Sequence, residues 1–498
     1  MAPATAAVSG SGRIVLSAAA VLATLLYTID STIANVALPH MQGSLQATQD
    51  QIAWVLTSYI VVSAVATPLA GWLGMRLGLR RVLAASVAGF TGASMLCGLA
   101  GSLGQIVVFR GLQGAFGAAL VPLSQVALLE AFPREAHGRA TAIWGMGVMV
   151  GPIIGPTLGG WLTDNLGWRW AFYVNLPVGI LAYLGILAAM EERPAASPRP
   201  FDLQGFVLLS LAIGLFQLGL DRGETLDWFE SPEIMAEALL AATALYMFIV
   251  HSLTRDHGFV DPALFLDRNF SASVVIMFAV GVAVISPAVL LPTFLQTLQG
   301  YSPTQAGGLM AARGLAAIGG MLAAGRLTGR VPTRGLMTAG ILLTATALWL
   351  MAHFSLDTPW QGVVGANMVL GFGVPLAFVP LTVVAFATLP DAQRAEAGAL
   401  LTLARNIGSS MGISLSVALL ARSTRANQSQ LVEHFTAYSH DRWQLLGQPP
   451  GADAGTAAFL AEITRQAGAI AYDNAFYLLA LVAAATLPFL WLLRAPRR

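Results

Sequence analysis

Apolar runs of about 20 residues recur along the whole of this chain, separated by short polar turns. A run of that length spans the hydrocarbon core of a bilayer when helical, and only helices or closed barrels satisfy every backbone hydrogen bond there. These runs are continuous rather than alternating, so they read as helices and not as barrel strands. They fall near 14–38, 51–74, 82–100, 105–129, 140–162, 170–190, 203–220, 233–253, 270–297, 304–326, 335–354, 360–388, 396–420 and 474–493. Only 10% of the residues are charged, against about 25% in soluble domains. The expected fold class is therefore all-α integral membrane, with 14 transmembrane helices.

Charge removes several function classes. A net charge of +1 gives no basic field for nucleic acid. All 26 basic residues are arginine, so the lysine that a phosphate-binding Gly-rich loop requires is missing, and ATP-driven pumping of that kind is excluded. Lysine Schiff-base chemistry goes with it. No catalytic constellation or metal cluster is expected. The single Cys97 has no partner for a disulfide within the chain and reads as packing. The first apolar run continues from Ile14 past Asp30 to Leu38 without a small-residue cleavage site, so it reads as a retained helix and not a signal peptide.

The turns carry the orientation. With the N-terminus inside, 17 arginines collect on the cytoplasmic side, six outside and three within helices, which puts both termini in the cytoplasm. A break rich in Pro and Arg, EERPAASPRPF, follows the sixth helix. An Arg-rich turn, GWLGMRLGLRR at 71–81, is echoed by GRLTGRVPTRG at 325–335, at nearly the same distance from the start of the first and the ninth helix. That spacing divides the chain into a six-helix half over 1–190, a linker with two inserted helices over 191–265, and a second six-helix half over 266–498 that contains a long outer loop near 422–473.

Ionisable groups at membrane depth are costly and are functional candidates by default. Asp30 lies roughly 13 Å below the outer interface and Arg110, on a helix running the other way, roughly 8 Å down. The two can share one layer, where a carboxylate would take and release a proton as its surroundings change; a fixed structural pair is the alternative. Asn35 and Gln113, one turn along from Asp30 and Arg110, are hydrogen-bond partners or substrate contacts. Arg313 and Arg405 either face a wet cavity and meet a substrate anion, or bond to carbonyls. Tyr27, Trp54, Tyr59, Phe172, Phe294 and Phe378 are candidates for a greasy pocket, with ordinary packing as the alternative. In the fifth helix Gly147, Gly151, Gly155 and Gly159 recur every four residues beside Pro152 and Pro156, a face that allows close helix approach and a local kink. The outer loop contains amphipathic pieces such as AFLAEITRQAGAIA, suited to a solvated cap or to a docking partner.

With these residues in place, the chain resembles the fourteen-helix drug:proton antiporters of the major facilitator superfamily, in the EmrB/QacA group and on its EmrB branch. The likeness rests on TIDSTIANVALP at 28–39, RGLQGAFGAA at 110–119, GPIIGPTLGGWL at 151–162, WRWAFYVNLPVG at 168–179 and LDRGETLDWFES at 220–231. It implies the major facilitator fold and export of hydrophobic or amphipathic compounds driven by the proton gradient, with no other cofactor. It also implies Asp30 and Arg110 in the coupling layer, and Gly151, Pro152 and Gly155 in a packing motif. In the turn after helix two, Gly71, Arg76, Gly78, Arg80 and Arg81 match the superfamily pattern, but Met75 stands where an Asp is usual, so the inner gate must latch by other contacts. EmrB-type pumps are typically paired with a periplasmic adaptor and an outer-membrane channel, which offers the long outer loop a partner and places the protein in a bacterial inner membrane. Two other readings stay open: an exporter dedicated to one endogenous metabolite such as a siderophore, fatty acid or antibiotic, and a non-transporting membrane receptor or scaffold.

Overall fold

The polar residues between the apolar runs start and stop the helices. Thr48 and Gln51 form a reciprocal capping box ahead of the second helix, Ser302 and Gln305 do the same ahead of the tenth, and Asp267 caps the ninth. The computed structural model describes residues 10–192, 201–255, 258–390, 393–433 and 453–493. Its helices are α1 (Gly10–Ser44), α2 (Gln49–Leu77), α3 (Leu79–Leu99), α4 (Leu103–Ala131), α5 (His137–Leu166), α6 (Trp170–Ala189) and α7 (Leu203–Arg222). They continue as α8 (Pro232–Thr254), α9 (Arg268–Thr297), α10 (Pro303–Leu327), α11 (Thr333–Met351), α12 (Trp360–Ala387), α13 (Arg394–Glu433) and α14 (Asp453–Ala484). Among the described residues 13 helical stretches are long and apolar enough to cross a membrane. The remaining helix, α5, is 30 residues long and packs along α1, which completes the expected fourteen.

Two helices are broken, and proline explains both breaks. α4 consists of Leu103–Gly117 and Leu120–Ala131, because Pro122 has no N–H for the carbonyl of Ala118. α6 consists of Trp170–Tyr173 and Asn175–Ala189, because Pro177 likewise leaves the carbonyl of Tyr173. Asn175, the first residue after the second break, is buried.

Two expected boundaries move. The turn after α2 is the single residue Gly78, at φ +90°, a conformation that strains any residue with a side chain. The Arg76, Arg80 and Arg81 positions therefore lie on helices: Arg76 stacks over Trp72, Arg80 donates to the Leu187 carbonyl, and Arg81 pairs with Glu192. At the other face, α13 and α14 run on through much of what read as the long outer loop. Their polar extensions meet through Gln428 on Thr464 and Asn427 on the Ala467 carbonyl, and the amphipathic stretch lies within α14. Neither segment contains proline, and Ala, Arg and Gln continue a helix readily. The rest of that loop, 434–452, lies outside the described residues, as does the stretch 193–200 of the Pro-rich break.

The expected glycine face of α5 lies against α1. A Cβ on Gly147 would meet Val21 at 3.2 Å, on Gly159 Ile33 at 3.3 Å, and on Gly151 and Gly155 the hydroxyls of Thr28 and Thr32. The α5 helix is continuous through this region, so the expected kink does not break it; the side chains of Pro152 and Pro156 are outside the described set.

Near the Arg-rich turns the first six helices meet the last six. A Cβ on Gly71 of α2 would lie 3.0 Å from the Glu396 backbone of α13, and one on Gly325 of α10 would lie 2.8 Å from Ala142 of α5. Trp144 of α5 stacks on Phe378 of α12 at 6.0 Å. Backbone approach and aromatic packing thus bring the two sets of helices together near the Arg-rich turns.

α7 lies over the seam between α2 and α13. Thr57 bonds Asp221, Gln217 bonds Ser410, and Ser414 donates to the Leu220 carbonyl at 2.9 Å. At the start of α7, Phe201 packs on Trp72 at 4.7 Å and on Phe259 at 6.0 Å. There Asp202 accepts from the Gly205 and Phe259 N–H groups, each at 3.0 Å, and pairs with His251 of α8 at 2.9 Å. Burial works to raise the Asp202 carboxyl, but these three partners together hold it below the ordinary carboxylate range. A carboxylate depressed by folding adds stability above its unfolded value, and that stability fades as pH falls through the folded value. Asp202→Ala should therefore cost about 1–3 kcal/mol at neutral pH, read as an earlier thermal unfolding transition in detergent, and the gap to the unsubstituted protein should shrink below about pH 4.

Candidate functional site

Asp30 sits on α1, held in place by the α5 glycine face behind it, and five helices converge on its surroundings. Its side chain is 1% exposed and that of Arg110, on α4, is fully buried. Arg110 Nη1 donates to Asp30 Oδ2 at 2.6 Å and to Gln113 Oε1 at 2.8 Å, while its Nε donates to the Val55 carbonyl of α2 at 3.2 Å. Asp30 Oδ1 accepts from Gln113 Nε2 at 2.8 Å and from Asn175 Nδ2 of α6 at 3.0 Å. Asn175 also donates to Ser94 Oγ of α3 at 2.9 Å, and the Cys97 thiol donates to Gln113 Oε1 at 3.6 Å.

Aromatic rings close this network off. The Arg110 guanidinium lies over Tyr59 at 4.2 Å and near Phe172 at 5.7 Å. Two polar atoms, Arg110 Nη2 and the Tyr59 hydroxyl, are buried without a hydrogen-bond partner among the described residues. A buried pair of this kind is not worth much stability against an apolar replacement, but it is expensive to break by removing one member.

The sequence candidates divide clearly. Asp30 and Arg110 share one layer. Gln113 joins them as a hydrogen-bond partner, completely buried. Tyr27 is half-buried, with its ring 5.8 Å from Tyr59 and its hydroxyl 3.5 Å from Ser63 Oγ. Arg313 of α10 donates to the Val284 carbonyl of α9 at 2.6 Å, the structural option among its two readings. The side chain of Arg405 of α13 is half-buried and makes no hydrogen bond or ion pair among the described residues, while its main-chain carbonyl accepts from Ser409 Oγ at 2.8 Å. The side chain of Asn35 lies outside the described set. Of the candidate pocket aromatics, Phe294 is core packing inside the last six helices and Trp54 is 42% exposed on the perimeter.

Asn175 and Ser94 were not among the sequence candidates, though both touch the Asp30 layer. Asn175 had a signal, as the one side-chain amide within the apolar run from Trp170 to Met190. Ser94, a small hydroxyl on an apolar helix, had none.

The bundle is that of a multi-pass membrane protein, with a buried ion-pair layer and a seam between two sets of six helices. Residues 20–413 match the profile of the Major Facilitator Superfamily. The chain is 35% identical over 497 residues to the multidrug export protein EmrB of Haemophilus influenzae, covering 98% of this chain and 97% of that one. It is 35% identical over 480 residues to the fatty acid resistance protein FarB of Neisseria gonorrhoeae, covering 95% of each. Among solved structures, the proton:xylose symporter XylE superposes with a TM-score of 0.62 at 15% identity, over 97% of this chain and 95% of that one. The chain belongs to the Major Facilitator Superfamily.

Proposed function

We propose that this protein is a proton-coupled exporter of hydrophobic and amphipathic compounds, working by alternating access between its two six-helix halves. The observation that carries the coupling is the donor set around Asp30. Every partner described on its two oxygens is an N–H group: Arg110 on one, Gln113 and Asn175 on the other. A carboxylate accepts all three, but a protonated acid has an O–H that must donate. A proton arriving at Asp30 therefore forces Gln113 or Asn175 to turn its amide or withdraw, and weakens the hold of Arg110. These side chains stand on α1, α4 and α6, so protonation biases helix packing, which a coupled antiporter requires.

The export direction and the breadth of substrate are supported by the multidrug names of the EmrB relatives, which cover nearly the whole chain. The proton gradient serves as the energy source in place of any cofactor, and each charge crossing the potential contributes about 2.3 kcal/mol per 100 mV. The arginine asymmetry supports cytoplasmic termini in a bacterial inner membrane, and the extended α13–α14 hairpin on the opposite face offers a surface to a periplasmic adaptor and its outer-membrane channel. A second reading, a dedicated exporter of one endogenous metabolite, is favoured by the relative named for fatty acid resistance.

Reconstitution into proteoliposomes with an imposed pH gradient tests the proposal. Adding members of a lipophilic compound panel should change internal pH only in vesicles that contain the protein, and several unrelated compounds should compete. Response to a single compound class would move the assignment to the second reading, and no proton movement with any compound would refute coupling.

A further inference from the structure

A second buried polar network lies between the Asp30 layer and the Arg-rich turns. Trp144 Nε1 of α5 donates to Ser124 Oγ of α4 at 3.0 Å, and the same oxygen lies 2.8 Å from Thr24 Oγ1 of α1. Thr24 is also 2.9 Å from the Ala20 carbonyl and Ser124 3.0 Å from the Val121 carbonyl, so each hydroxyl has an acceptor for its one proton. All three side chains are at most 1% exposed. One serine oxygen thus ties three helices together. The other side of Trp144 faces the last six helices: its indole stacks on Phe378 of α12 at 6.0 Å, with 14° between the planes. This stack stands ~10 Å along α5 from His137. Next to it a Cβ on Gly145 would lie 2.7 Å from Met321 Cε of α10, so the seam is tightly packed at this depth.

Stacking depends on the plane of the ring, and the N–H bond is what fixes that plane for a buried indole. We propose that Trp144 is a latch across the seam at the Arg-rich end, and that Ser124 is the positioning residue through which the Asp30 layer controls it. The helix packing supplies the linkage. α1 is unbroken between Thr24 and Asp30, ~9 Å apart along its axis, and its close fit to the α5 glycines joins Thr24 and Trp144 into one body. Ser124 belongs to the second piece of α4, past the break that separates it from Arg110. When a proton at Asp30 loosens Arg110, α1 and α5 shift together against α4, and Ser124 loses Thr24 and Trp144 at once. Its proton then goes to the Val121 carbonyl, the indole is no longer held flat on Phe378, and the seam is free to part. Only hydrogen bonds are exchanged in this step. The inference deepens the proton-coupled reading and rests on it for the part played by the proton.

Spin labels on Glu135→Cys and Arg330→Cys, one on each side of the seam, report its opening by pulsed electron paramagnetic resonance on the full chain in nanodiscs. Both positions are exposed and flank the point where a Cβ on Gly138 would meet Thr328 at 2.7 Å, while the native Cys97 is buried away from the label. Asp30→Asn removes the carboxylate charge as a proton does, and should raise the population with the long separation about fivefold or more. Trp144→Phe keeps a ring on Phe378 without the N–H and strands no group, because Ser124 retains Thr24 and the Val121 carbonyl. In that background, and in Ser124→Ala, the response to Asp30→Asn should fall below about twofold. Thr24→Ser, which keeps the hydroxyl, should leave the response whole, and Phe378→Ala should raise the long population with Asp30 intact. A purely structural role for these residues would shift the populations equally with and without Asp30→Asn. A full response in either Trp144→Phe or Ser124→Ala, or no response in the unsubstituted background, would overturn the latch. Because this measurement uses neither gradient nor cargo, failure of export would appear only in the internal-pH experiment and leave the latch standing.

Discussion

Arg110→Leu should abolish export and lower stability by about 3–5 kcal/mol, because it strands the Asp30 charge among groups that cannot neutralise it. Arg110 is the one cation bonded to that carboxylate among the described residues, and its side chain is fully buried. Gln113 and Asn175 would still donate to Asp30, but a neutral amide replaces neither the charge nor the contact with the Val55 carbonyl. The double variant Asp30→Asn with Arg110→Leu separates the two roles. With both charges gone, most of the lost stability should return, since an apolar replacement of a buried pair is often neutral. Export should not return. Thermal unfolding in detergent and whole-cell efflux read the two effects independently; a single variant as stable as the unsubstituted protein would contradict the geometry of the pair.

The second large effect is expected at the α1–α5 contact. Gly155→Ala and Gly151→Ala should each destabilise by about 1–3 kcal/mol through overpacking, with export reduced because α1 carries Asp30. The two differ in how they can be repaired. At Gly155 the added methyl meets mainly the Thr32 side chain, its hydroxyl first and its Cβ at 2.9 Å, so Thr32→Ala should recover part of the loss. At Gly151 the methyl also meets the Thr28 main-chain carbon at 2.8 Å, and Thr28→Ala should recover little. Equal rescue at both positions would mean that side chains alone set the helix separation.

Much of this was legible in the sequence because the bilayer imposes simple rules. Apolar run length fixed the helices, and a four-residue glycine repeat announced the α5 face that packs on α1. Asp30 and Arg110 stood out because a charge at membrane depth needs a reason. What the sequence hid was long-range pairing. Asn175 reaches Asp30 from 145 residues away, at the start of the second piece of a helix that is broken just before it. The α13 and α14 extensions were read as loop because polar residues signal a membrane boundary, whereas helix propensity carries the backbone past that boundary. Arg313 and Arg405 looked equivalent as lone charges; the nearby Val284 carbonyl distinguishes them, and nothing local in either sequence window reveals it.

The central claim is that proton uptake at Asp30 drives export, and internal pH in proteoliposomes bearing Asp30→Asn tests it most directly. Asparagine keeps the shape and cannot titrate, so the variant should still bind a substrate of the unsubstituted protein while its addition under a pH gradient moves no protons. Full substrate-dependent proton movement by Asp30→Asn would contradict the account.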